Sequence, residues 1–124
     1  MNKLINVAPP NSLFFFEDGA GSKSPEIEKR PVHIWSSRSC IAVGSLCFAD
    51  GETELMISDS ADDALQTPPT FDGVLDTPNR IFQVSTSEHE ILFRADVPGH
   101  FTRVRIWTDH PTEPEHILVV LGQA

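Results

Sequence analysis

Apolar and polar residues alternate along this chain in short runs, each too short for an ordinary helix. Alternation over four to eight residues is typical of β-strands with one buried face. The pattern predicts nine strands, at Leu13–Glu17, Val32–Trp35, Cys40–Phe48, Glu54–Ser58, Gly73–Leu75, Ile81–Ser85, Ile91–Val97, Thr102–Thr108 and His116–Leu121. The last run contains "ILVVL", which is apolar on both faces and therefore predicts a central strand.

Turn-forming residues separate these runs. The ten prolines and seven glycines leave little room for long helices. Asp50-Gly51 predicts a hairpin, because this dipeptide suits the positive φ angles of tight turns; "STSEHE" and "VPGHFT" are also of hairpin length. The longest irregular segments are Asp18–Pro31 and Asp59–Pro69, and the second could hold one helical turn capped by Ser60. Together these features predict a single all-β domain over residues 1–124, an antiparallel β-sandwich, with a small barrel as the alternative.

Charge is unevenly distributed along the chain. Eighteen Asp and Glu against nine Lys and Arg give a formal charge of −9, which argues against direct binding to nucleic acid or to an anionic membrane. No Lys or Arg occurs from Ser39 to Asn79, a window that holds eight acids: Asp50, Glu52, Glu54, Asp59, Asp62, Asp63, Asp72 and Asp76. This window predicts an acidic surface for a basic protein partner such as a nuclease. The alternative is a solvated face that keeps the domain soluble.

Two strands share the pattern V-x-I-W, in "VHIWSS" and "VRIWTD". Strand alternation places Trp35 on the same face as His33, and Trp107 on the same face as Arg103 and Arg105. Since Trp and Arg are enriched at binding hot spots, these residues are candidates for partner contact. Two alternatives remain open: a local stacking pair of Arg over Trp, or tryptophans that point into the core.

One segment, "DHPTEPEH", concentrates possible metal ligands and acid/base groups. A metal-dependent enzyme or metal-binding protein using His110, Glu113 and His116 is therefore an alternative function. Pro111 and Pro114 favour an extended segment, which separates the two histidines by up to ~20 Å. The chain contains none of the common nucleophile, phosphate-loop or zinc motifs. We therefore expect no catalytic residue, metal or cofactor.

Location and redox state follow from the cysteines and the N-terminus. Cys40 and Cys47 are seven positions apart, which is unsuitable for a disulfide within one strand and is not a metal spacing. The first residues do not form a secretory signal, and no apolar run reaches the ~20 residues of a membrane span. We expect a cytoplasmic protein with reduced thiols.

Three segments carry a family resemblance: "IAVGSLCFADGETELMIS", "RIFQVSTSEHEILFRADVPGHFTRVRIWT" and "EHILVVL". Their order is similar to that of small all-β bacterial nuclease inhibitors of the competence protein J type and of immunity-like proteins, and it covers the chain from Ile41 onward. The resemblance implies a β-sandwich that binds and blocks a nuclease without catalysis of its own. We therefore predict a non-catalytic protein-binding module. A small-ligand sandwich using Trp35, Trp107 and Arg105 is a further alternative, and a homodimer remains possible.

Overall fold

The computed structural model describes residues 2–20, 25 and 33–124, and its strands form two packed five-stranded sheets. Sheet A has the order β1 (Asn2–Val7), β5 (Thr53–Ser58), β10 (His116–Gln123), β9 (Phe101–Thr108) and β6 (Phe71–Asp76). Sheet B has the order β3 (Ile34–Ser36), β4 (Cys40–Gly44), β2 (Leu13–Glu17), β7 (Ile81–Thr86) and β8 (Ile91–Asp96). The predicted all-β sandwich is confirmed. Its helical segments are three 3-10 turns within the described residues, and none of them is long or apolar enough to cross a membrane.

The hydrophobic core lies between the two sheets. Six strands contribute alternate residues to the buried core, as the period of two predicts: Phe14 and Phe16 from β2, for example, are fully buried, whereas Phe15 between them is half-buried. The rings of Phe16 and Phe82 pack with their centroids 5.4 Å apart, joining neighbouring strands of sheet B. From sheet A, Leu55 and Ile106 are equally buried. This apolar interface fixes which faces of the strands point outward.

Most predicted strands are present with ends shifted by a few residues, but β1 was not predicted. It is an edge strand with mostly exposed residues, so its sequence carries only a weak alternation. The central position predicted for β10 is confirmed. β10 runs parallel to β5, however, which makes sheet A mixed rather than purely antiparallel. Val32, predicted as part of a strand, lies outside the described residues, as does most of Asp18–Pro31.

Two of the predicted hairpins are wrong, because their connections pass from one sheet to the other. β4 belongs to sheet B and β5 to sheet A, so Asp50-Gly51 lies in a crossing segment that contains the 3-10 turn Phe48–Asp50. Gly51 does adopt a positive φ of 127°, but it serves this crossing instead of a two-residue turn. The Val97–Thr102 segment likewise leads from β8 to β9 across the sandwich. The hairpin predicted at "STSEHE" is present between β7 and β8.

Segment 59–70 crosses the outer face of sheet A from one end to the other. It begins with the 3-10 turn Ala61–Asp63, where the Ser60 hydroxyl accepts a hydrogen bond from the Asp62 N–H, which confirms the predicted cap. At its far end, the Thr70 N–H donates to the carbonyl of Ile106 at 2.7 Å. The Thr67 carbonyl accepts from the indole N–H of Trp107 on β9, and the 3-10 turn contacts β10, so the segment covers part of both strands.

Candidate protein-binding surfaces

One end of the sandwich, which we call the acidic end, is formed by the four connections 8–12, 45–52, 87–90 and 109–115. Strand direction brings them together: β1, β4, β7 and β9 all finish at this end. Eight carboxylates lie there: Asp50, Glu52, Glu54, Glu88, Glu90, Asp109, Glu113 and Glu115. Among the described residues, no Lys or Arg occurs in these connections. Only three of the eight acids come from the base-free window in the sequence.

Hydrogen bonds hold the connections of the acidic end to one another. The N–H of Leu46 donates to the carbonyl of Pro114 at 2.8 Å, and the N–H of Ser45 donates to the carbonyl of Ser12 at 2.8 Å. The Ser12 hydroxyl also accepts from the N–H of Phe48 at 3.2 Å. The Asn11 amide donates to the Ser87 hydroxyl at 2.8 Å. The four connections thus form one continuous rim with fixed backbone positions.

Asp109 and His116 organise the connection between β9 and β10. One oxygen of Asp109 accepts backbone hydrogen bonds from Glu115 at 2.9 Å and from His116 at 3.1 Å, and the other contacts Nδ1 of His116 at 2.7 Å. The hydrogen bond to Asp109 raises the pKa of His116, and the charge of Glu54 adds to this effect. His116 is therefore the charge partner of two acids at this end.

The other acids of the window lie elsewhere on the molecule. Asp59, Asp62 and Asp63 follow β5, so they are at the opposite end from Glu52; seven residues of extended chain separate Glu52 and Asp59 by about 23 Å. Ser58 donates its hydroxyl hydrogen to Asp63. The acidic window is therefore divided between two ends of the sandwich.

Two further acids of the window form ion pairs. Asp72 binds Arg103 through two hydrogen bonds of 2.7 and 3.0 Å, which lower the pKa of Asp72. Asp76 contacts Arg38 at 3.3 Å. These acids carry less uncompensated charge than those of the acidic end.

The Arg-Trp face predicted on β9 exists, but its tryptophan is covered. Arg103, Arg105 and Trp107 share the outer face of sheet A, and the Arg105 guanidinium lies 5.8 Å from the centre of the Trp107 ring. Trp107 is only 6% exposed, because segment 59–70 lies over it and its indole N–H donates to the carbonyl of Thr67 at 2.8 Å. Trp107 thus anchors that segment, and the two arginines are the accessible part of this face.

Trp35 lies at the acidic end, in a cleft of about 380 Å³ between β3, β4 and the connection 109–115. His33 lines the same cleft, as strand alternation predicts. His33 is 5% exposed; its Nδ1–H donates to the carbonyl of Pro111 at 2.5 Å and its Nε2 contacts the Thr108 hydroxyl at 2.8 Å. Burial lowers the pKa of His33, which keeps the ring neutral near pH 7. His33 therefore ties sheet B to the rim.

The geometry of the His110–His116 segment does not bring its possible ligands together. Nδ1 of His110 accepts hydrogen bonds from the N–H groups of Thr112 at 3.1 Å and Glu113 at 2.9 Å, while His116 is paired with Asp109. Within the part of the chain that the structure describes, no group of three His, Cys, Asp or Glu side chains is placed to hold a metal ion.

The sequence interpretation missed Glu88, Glu90 and Phe48 as members of a candidate site. Phe48 is 59% exposed and lies within the acidic rim, one residue before Ala49-Asp50. The direction of successive strands was the signal that could have found the two glutamates, because it places the β7–β8 hairpin at the same end as the 45–52 connection.

Comparison with known proteins identifies the fold. No family model matches the chain, and no curated protein matches it in sequence. Its structure is similar to the crystal structure of ComJ from Bacillus subtilis, described as an inhibitor of the DNA-degrading activity of NucA. The TM-score is 0.68 at 7% identity, and the alignment covers 100% of this chain and 96% of that chain. The chain thus has the all-β sandwich fold of this nuclease inhibitor, as the layout of its segments suggested.

Proposed function

We propose that this protein is a non-catalytic inhibitor that binds a basic protein, such as a nuclease, through its acidic surface. The observation that carries the proposal is the segregation of charge: eight carboxylates at one end, without Lys or Arg among the described residues there. Charge of one sign on one surface speeds association with an oppositely charged partner. The fold shared with ComJ supports the same function. The free thiol of Cys47 supports the cytoplasmic location.

A nuclease inhibition assay tests the proposal. The purified protein is titrated into NucA, and into other nucleases with basic substrate grooves, and DNA degradation is followed with time. We expect degradation to stop near equimolar protein for at least one nuclease, and the inhibition to weaken when salt is raised, because exposed charges are screened. The double variant Asp50→Asn/Glu52→Gln should inhibit less well than the wild type.

Gel-shift measurements with the same DNA provide the control. The acidic protein should leave the DNA unshifted, so that inhibition arises from contact with the enzyme and not from coating of the substrate. If a tenfold molar excess inhibits no nuclease in the set, the inhibitor function is wrong. If inhibition is unchanged at high salt, the electrostatic basis is wrong.

A further inference from the structure

The cleft beside Trp35 combines an aromatic wall, hydroxyl groups and the carboxylate of Glu113. It is lined by, among others, Ser12, Leu13, Trp35, Ser45, Thr112 and Glu113. Its volume of about 380 Å³ is within the range of ~300–1,000 Å³ that accommodates small ligands. Two or three side chains of a partner loop would fit, whereas a folded domain would not.

The polar groups of this cleft are only partly satisfied. The indole N–H of Trp35 is shielded from solvent and has no hydrogen-bond acceptor among the described residues. Buried donors are nearly always paired, so an unpaired one calls for an explanation. A bound segment could supply the missing acceptor as a backbone carbonyl, provided the Trp35 side chain shifts to meet it. The exposed carboxylate of Glu113 forms no ion pair in the described structure.

The surroundings of the cleft select the charge of its occupant. The rim on either side carries Asp50 and Glu52 from one connection and Glu115 from another. A cation near an aromatic ring and a carboxylate gains from both, and Arg presents a planar group that suits each of them. An acidic or neutral segment would gain nothing from this field.

We propose that the cleft receives an arginine-bearing loop of the partner protein, with Trp35 and Glu113 contacting the guanidinium and Phe48 packing against the apolar part of the loop. This inference rests on the proposed function for the identity of the partner as a basic protein. It differs from a general electrostatic attraction because it assigns contact to one cleft. It also excludes the second acidic group, Asp59 to Asp63, from the primary contact.

A titration with a short peptide of six arginines, followed by NMR of the ¹⁵N-labelled protein, tests the assignment. The largest shifts should fall in segments 45–52 and 109–115 and at the Trp35 indole N–H. The Glu113→Gln variant should bind the peptide three- to tenfold more weakly. The matched variant Asp62→Asn, which removes the same charge from an exposed carboxylate, should change affinity less than twofold.

Two outcomes overturn the inference: shifts centred on residues 59–63, or equal losses of affinity for the two variants. A spectrum of well-dispersed amides for each variant establishes that it is folded. The result is separate from the inhibition assay, because the peptide reports on the cleft whether or not a nuclease is inhibited. If the protein inhibits a nuclease but the peptide shifts resonances elsewhere, the proposed function is retained and the cleft is rejected. If the peptide shifts resonances at the cleft but no nuclease is inhibited, only the cleft is retained.

Discussion

Replacing Asp18 with Asn should destabilise the fold, because this carboxylate joins the end of β2 to the turn between β6 and β7. Asp18 is 4% exposed. One of its oxygens accepts from the N–H of Asn79 at 3.0 Å, and the other accepts from the Asn79 side-chain amide at 2.5 Å and from the N–H of Ala20 at 3.2 Å. The connection spans the two sheets, since β6 lies in sheet A and β7 in sheet B.

The magnitude follows from the number of donors that lose their acceptor. An Asn side chain retains one oxygen and places an NH₂ group where the second was, facing two N–H donors. Hydrogen bonds to a charged group contribute about 1.5–3 kcal/mol each, so losing two of them should cost about 3 kcal/mol or more. For a domain of this size, 3 kcal/mol lowers the melting temperature by roughly 10 °C.

The pH dependence gives a second check. Burial alone raises the pKa of Asp18, but hydrogen bonds from Asn79, Ala20 and Ile81 outweigh it and bring the pKa below its usual 3.8. The stabilisation is therefore complete above pH 3.8 and is lost as the pH falls through the lower, folded-state value. Because Asn does not titrate, the difference in the free energy of unfolding between wild type and Asp18→Asn should become smaller in that acidic range.

Urea unfolding monitored by tryptophan fluorescence measures both effects. The variant Asp62→Asn makes the same chemical change at an exposed carboxylate and should shift stability by less than about 0.5 kcal/mol. A loss of under 1 kcal/mol for Asp18→Asn at pH 7 would refute the reasoning. The reasoning would also be refuted if the difference in the free energy of unfolding between wild type and Asp18→Asn stayed constant down to pH 3.

Three other predictions concern the side chains of His33, His116 and Trp107. Since burial lowers the pKa of His33 below 6.5, the free energy of unfolding of the wild type should fall as the pH drops below 6.5 toward the folded-state pKa. His33→Gln should remove this part of the pH dependence, as measured by urea unfolding at several pH values. Proton NMR should show the His116 ring titrating above 6.5, and Asp109→Asn should lower that pKa. Trp107→Phe removes the hydrogen bond to the Thr67 carbonyl and should lower the free energy of unfolding by about 1–2 kcal/mol in the same assay.

The alternation of apolar residues predicted most of the fold, because each strand buries one face in a single core. It placed Leu13–Glu17 with the observed ends and identified β10 as central. It failed at Asn2–Val7, since an edge strand with a mostly exposed sequence has little alternation to detect. It also could not distinguish a hairpin from a crossing between sheets, because both connections can use the positive φ angle that Asp50-Gly51 allows.

The candidate site was less predictable, because its members are distant in sequence. A count of acidic residues along the chain placed Glu52 and Asp59 in one group. They lie at opposite ends of the sandwich, because β5 runs between them. Trp107 was correctly placed beside Arg105, but the sequence did not show that segment 59–70 would cover it. Burial by a long connection depends on tertiary packing, which local patterns do not encode.

Acids at different places on the sandwich differ in whether a cation lies beside them, and this difference bears on function. On sheet A, Asp72 is paired with Arg103, and Asp76 with Arg38. At the acidic end, His116 is the partner of two acids, and six of the eight carboxylates form no ion pair within the described residues. Like charges held on a hydrogen-bonded rim repel one another and oppose folding. An incoming basic surface would relieve that repulsion, so the same arrangement that costs stability in the free protein should favour its complex.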